Sequence, residues 1–179
     1  MDHLTNDLTN ALAAQVQVLI QDAPSDNQTK QLVEIVALAL ATFSQDHFNA
    51  SHYYLVQDVS GAWLQHTLTH RTQSTVEKTA LFIFSTFENA SKEIEKLQNS
   101  QLFSEKIPIV DLLFRFWTLN LSDVLIFPGD DRQPRVEVTR SQLSQILKQA
   151  QSEASSPNQS PKRRSGRGFG KGNPATDVC

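Results

Sequence analysis

Five consecutive apolar residues, Ala80-Leu81-Phe82-Ile83-Phe84, constrain this chain more than any other stretch. Side chains of a strand alternate between two faces, and here both faces are apolar. Such a run reads as a central strand of a sheet that is covered on each side. The covering layers have to come from the flanking sequence.

Downstream, Ser85 or Thr86 caps a helix that carries Glu88 in its first turn, where the helix dipole favours a negative charge. Phe87, Ala90, Ile94 and Leu97 form its buried stripe. Residues 98–107 hold a short strand before Pro108, a good first residue for a helix. From there Val110, Leu113, Phe114, Trp117 and Leu121 recur at helical spacing, and Leu112, Phe116 and Leu119 widen the face beyond what a surface helix needs. That helix is either buried between layers or offers part of its face to another protein. Val124-Leu125-Ile126-Phe127 and Val136-Glu137-Val138 flank a turn at Pro128-Gly129-Asp130-Asp131 and pair as a hairpin. Thr139 or Arg140 caps a closing helix over 141–149, with Leu143, Ile146 and Leu147 inward.

Upstream, Leu4, Leu8, Leu12, Val16 and Leu19 form one face of a helix over residues 2–22, with Gln15, Gln17 and Gln21 mostly off the stripe. Ala23-Pro24-Ser25-Asp26 breaks it, and Ser25 or Asp26 caps a second helix over 28–44 with Leu32, Ile35, Val36, Ala39, Leu40 and Phe43 on its apolar face. The short link predicts an antiparallel pair; the first helix, being less apolar, packs loosely or on a partner. Tyr53-Tyr54-Leu55-Val56 reads as a strand, Asp58-Val59-Ser60-Gly61 as a turn with positive φ at Gly61, and residues 63–68 as the returning strand of a hairpin. Residues 70–78 read as a loop. After Gln151 the chain turns to Ser, Pro, Gln, Gly and basic residues, which cannot bury enough apolar surface to offset their ordering entropy.

The expectation is an α+β fold: a small mixed or antiparallel sheet flanked by helices. Its parts are an N-terminal helical pair packing on the domain (residues 1–45), the α+β domain (46–151) and a disordered basic tail (152–179). A chain of 179 residues has room for one core. No stretch carries the ~20 apolar residues of a bilayer span, and the first residues lack the basic and apolar blocks of a signal peptide. Cys179 is the only cysteine, so no internal disulfide forms. The default expectation is cytoplasmic. The net charge of −3 divides unevenly: Lys162, Arg163, Arg164, Arg167 and Lys171 against Asp177 leave the last 19 residues at +4 and the rest at −7. An acidic body is not a folded nucleic-acid-binding domain, although the tail alone can meet an anion.

No reactive constellation emerges. His66 and His70 are four apart and His47 and His52 five apart, but a zinc site needs three or four converging ligands, so no metal and no cofactor is expected. Asp130 and Asp131 are adjacent turn residues whose carboxylates point apart, not a catalytic pair. There is no nucleophile elbow, no phosphate-binding loop ahead of a helix and no dinucleotide fingerprint. Gly166-Arg167-Gly168-Phe169-Gly170-Lys171-Gly172 has the glycines but falls in the tail, where Arg163, Arg164, Arg167 and Lys171 with Phe169 resemble RNA-contacting arginine-glycine segments.

The run from Thr79 to Glu88, Thr79-Ala80-Leu81-Phe82-Ile83-Phe84-Ser85-Thr86-Phe87-Glu88, resembles the strand-into-helix entry of the SseB-type N-terminal domain. Ile107-Pro108-Ile109-Val110-Asp111-Leu112-Leu113 resembles its proline-led helix. Asp123-Val124-Leu125-Ile126-Phe127-Pro128-Gly129 resembles its strand and turn, and Val136-Glu137-Val138-Thr139-Arg140 its final strand entering a helix. The likeness covers residues 50–150; the N-terminal helices and the basic tail depart from it. It implies no catalytic residues and points to protein–protein work. Related cyanobacterial proteins would include a chaperone-like factor for carboxysome shell assembly.

Two functions follow as expectations. The first is a non-enzymatic protein-binding module, an adaptor or assembly chaperone. It would take a short partner segment along the 53–68 hairpin edge or in a groove by the 108–121 helix, with Tyr53, Tyr54, Trp63, Phe116 and Trp117 as anchors. The alternative is an RNA-contacting accessory protein acting through Arg163, Arg164, Arg167 and Lys171.

Overall fold

The computed structural model describes residues 2–69, 77–129 and 134–155. The chain runs α1 (Asp2–Asp22), α2 (Asn27–His47), β1 (His52–Asp58), β2 (His66–Thr69), β3 (Glu77–Phe84), α3 (Phe87–Leu97), β4 (Leu102–Pro108), α4 (Ile109–Leu119), β5 (Val124–Phe127), β6 (Val136–Thr139) and α5 (Arg140–Ser155). The fold is α+β. One mixed sheet of order β4-β1-β3-β5-β6 stands at its centre, with β2 also paired to β3.

β3 lies in the middle, as its apolar run requires. Its Tyr54- and Leu55-facing end pairs antiparallel with β1 (Tyr54↔Phe84, Leu55↔Ile83), its opposite edge runs parallel to β5 (Ala80↔Val124), and its first half pairs with β2 (His66↔Ala80). The parallel pair is reached through α3, β4 and α4, because parallel neighbours cannot be joined by a tight turn.

The two faces are unequal. Tyr53, Leu55, Leu81, Ile83, Leu125, Phe127 and Val138 point to one side and form a single core with residues of α1, α2, α4 and α5. Phe48, Tyr53 and Phe127 meet there, with ring centroids 4.6–5.6 Å apart. On the other side Val56 and Phe84 pack on Ala90 of α3, while Ala80, Val124 and Ile126 form a separate cluster with Phe82.

The N-terminal helices are antiparallel, as their short link predicts: Gln45 Nε2 near the end of α2 donates to Thr9 Oγ1 near the start of α1 at 3.1 Å. Asp26 caps α2 by accepting from the Thr29 N–H, Thr86 caps α3 through Asn89, and the Thr139 hydroxyl accepts from the Gln142 N–H at the start of α5. Gly61 has φ +83°, the left-handed conformation expected of it.

Of the two placements left open for α1, the structure shows the one on its own domain, with Leu12 and Val16 buried. Three expectations are corrected. Residues 63–68 return along β1 only briefly: Trp63 bridges to Gln57 and the Leu64 N–H donates to the Val56 carbonyl, and β2 then pairs with β3. Glu77 and Lys78 belong to β3 instead of a loop. α5 continues to Ser155, so residues 152–155 are helical and the expected tail begins later. The remainder of that tail, 156–179, lies outside the described residues, as do residues 70–76 and 130–133. Among the described residues no helix is long and apolar enough to cross a membrane.

Candidate functional site

The five expected anchors do not form one surface. Tyr53 and Phe116 are each 0% exposed and belong to the main core, so neither can meet a partner. The reason is register: Tyr53 pairs with Ile107 on the face covered by four helices, and Phe116 lies on the stripe of α4 that faces the same core. Tyr54, one residue along β1, points to the opposite face and meets Phe87 edge-on at 6.1 Å. Trp63 and Trp117 are half-buried against the main core. The strand edge expected at residues 53–68 is also closed along β1, which is flanked by β4 and β3.

α4 does border a groove. Pro108, Asp111 and Arg115 form one wall and Gln15, Val18, Leu19 and Asp22 of α1 the other, enclosing about 200 Å³. Both sets follow helical spacing, so two helix ridges make the walls. Val18 is 55% exposed, and Leu119, one turn past Arg115 on α4, is 54% exposed. Arg115 pairs with Asp111 at 2.9 Å across one turn.

The floor of the groove is fixed by Gln15, a buried side chain that the sequence reading set aside. Its Nε2 donates to the Ser51 carbonyl at 2.7 Å, and its Oε1 accepts the Val110 N–H at 3.1 Å. The same Ser51 carbonyl accepts the Ile109 N–H at 3.0 Å. Pro108 precedes α4 without a side-chain cap, and its first amides need outside acceptors. Ser51 and Gln15 supply them. Gln15 stands three residues after Leu12 and four before Leu19, inside the stripe, and that spacing was the available signal.

A second groove, about 540 Å³, lies on the sheet face away from the helical layer. Leu68, Val124 and Ile126 line its floor, with Glu77, Lys78, Glu137 and Arg140 around it. At its end Asp123 Oδ2 accepts from the Thr79 N–H at 2.7 Å and from Thr79 Oγ1 at 3.0 Å. These bonds hold the Asp123 carboxyl below the ordinary carboxylate value. A carboxylate stabilised in that way is a weak proton acceptor, which suits it to joining β3 and β5 and not to acid–base chemistry.

The histidines are dispersed. His47 stacks on Phe43 at 4.1 Å, and His66 meets Phe82 edge-on at 4.8 Å. His52 contacts Ser51 Oγ through Nδ1 at 3.0 Å, and burial together with the Lys106 ammonium lowers its pKa. No group of three or more His, Cys, Asp or Glu side chains among the described residues could hold a metal ion. His70, Asp130, Asp131, Arg163, Arg164, Arg167 and Lys171 lie outside the described residues.

Compared with known proteins, the chain matches no family model and no curated protein.

Proposed function

We infer that this chain is a non-enzymatic protein-binding module, an adaptor or chaperone-like assembly factor, that takes a short segment of a partner in the groove between α1 and α4. One observation carries the reading: Val18, a large apolar side chain, stands more than half exposed in a groove whose walls are tied by Gln15, and Leu119, one turn beyond the groove's Arg115, is as exposed. Exposed apolar surface beside a preformed groove favours a partner that removes it from water. The size decides between ligand classes. Pockets for drug-sized ligands run to roughly 300–1,000 Å³. At about 200 Å³ this groove takes one or two side chains of a peptide.

An amphipathic partner segment would place apolar anchors beside Val18, Leu19 and Pro108, with a polar or basic group near Asp22 and the Asp111–Arg115 pair. Assembly work on a carboxysome shell, the role implied by the SseB-type resemblance, is a proposal of the same kind and rests on that resemblance alone.

The test is a displayed library of random peptides panned on the full chain. Enriched peptides are then titrated against wild type, Val18→Asp and Leu119→Asp, with folding checked by circular dichroism. The expected result is a loss of roughly tenfold or more in each variant, equivalent to about 1.4 kcal/mol. No enrichment, or wild-type affinity in both folded variants, overturns the reading.

A further inference from the structure

A third groove lies between α2 and α5, with a volume of about 420 Å³. Ala39 and Phe43 of α2 and Ile146 and Ala150 of α5 make its floor. Asp46 and Glu153 stand on its rim, one from each helix. Asp46 is the residue before the last of α2, and Glu153 lies two residues before the last of α5. Both helices therefore bring their negative carbonyl poles towards this groove, and each adds a carboxylate there. α5 has no basic residue in its last turn, and α2 has only His47, which also lines the groove. Gln149 Nε2 donates to Glu153 Oε1 at 2.9 Å, which leaves the other carboxylate oxygen for a cation.

The sequence beyond α5 has the complementary pattern. Residues 156–179 carry five cations against one anion. Within them Arg167-Gly168-Phe169-Gly170-Lys171 sets one aromatic ring between two cations, each two residues away. The groove offers an apolar lining and two carboxylates, and the segment a ring and two cations, so the two match in chemistry.

We propose that residues 167–171 dock in the α2–α5 groove of their own chain, Phe169 on the apolar floor and Arg167 and Lys171 against Asp46 and Glu153. Reach permits it. Thirteen residues lie between Ser155 and Phe169, and a Gly/Ser-type linker of that length spans roughly 20 Å on average. The segment starts from α5 itself, so its effective concentration at the groove is about millimolar, enough to populate contacts too weak to form between separate molecules. The glycines around Phe169 let the backbone approach the helix surfaces closely.

The experiment uses the full chain with Gly172→Cys and Cys179→Ser, a nitroxide on the new thiol, and amide signals read by NMR. The docked segment brings the nitroxide beside the amides of Phe43, His47, Gln149 and Glu153. These should lose at least about half their intensity at ~20 mM salt and recover it at ~0.5 M, where the screening length falls to a few ångströms. Phe169→Ser, and separately the exposed pair Asp46→Asn with Glu153→Gln, should restore the signals at low salt. A mixed sample of isotope-labelled chains without nitroxide and unlabelled chains with it should show no loss. Unchanged signals at low salt, loss spread evenly over the surface, persistence in the Phe169→Ser chain, or equal loss in the mixed sample each overturns the proposal.

Discussion

Gln15 and Val110 are 95 positions apart, and the side-chain oxygen of the first accepts the backbone N–H of the second at 3.1 Å. With Gln15 Nε2 on the Ser51 carbonyl, one amide group joins α1, the approach to β1 and the first turn of α4. Gln15→Leu keeps the volume but strands the Val110 N–H in a buried setting. The expected cost is about 1–3 kcal/mol. Urea unfolding should show a lower midpoint with an unchanged slope.

Phe116→Ala should cost about 3–5 kcal/mol, because a fully buried ring leaves a cavity and lost contacts. Val18→Asp, at an exposed position, should stay within about 0.5 kcal/mol. Thermal melts of both variants separate a core aromatic from a surface anchor. If Phe116→Ala were tolerated, the packing described for α4 would be wrong.

Asp123 is held low by the Thr79 N–H and hydroxyl. Because its folded-state pKa lies below the ordinary value of 3.8, the stability it contributes is fully present above that value and is lost as the pH falls through the folded pKa. Asp123→Asn cannot titrate, so it should be less stable than wild type at neutral pH and the gap should narrow in acid. Denaturant midpoints between about pH 2 and 6 measure the gap; a constant difference across that range contradicts the assignment.

Gly61 stands at φ +83°, and a Cβ placed there meets nothing within 4 Å. The cost of Gly61→Ala is therefore backbone strain alone, about 1 kcal/mol. Gly61→Asn should cost less and Gly61→Val more, an ordering readable from chemical denaturation.

The helices and most strands were legible because each depends on local pattern. The apolar run at Ala80 marked the central strand, Pro108 the start of α4, and the pairs Ser85/Thr86 and Ser25/Asp26 the caps, of which the structure uses Thr86 and Asp26. Pairing was less legible. Gly61 makes the tight turn that was read, with the Leu64 N–H donating to the Val56 carbonyl, yet the chain then leaves β1 and joins β3. Turn chemistry is local, but the choice of neighbour depends on which face must be buried. The candidate groove was half legible. Its α4 wall was named, but Tyr53 and Phe116 were placed at a surface because aromatic character alone does not tell core from anchor. Gln15 was missed because a polar residue inside an apolar stripe declares its role only when its distant partners are known.

The position of β1 bears on synthesis. Its two neighbours are completed at Phe84 and Pro108, so the N-terminal half of the protein emerges with one hydrogen-bonding edge of β1 uncovered until β4 is made. A polypeptide halted before Leu102 would carry a strand rich in Tyr, Leu and Val with one edge unpaired, the kind of edge on which nascent chains associate. Order in time, as well as in space, decides when this molecule is safe from itself.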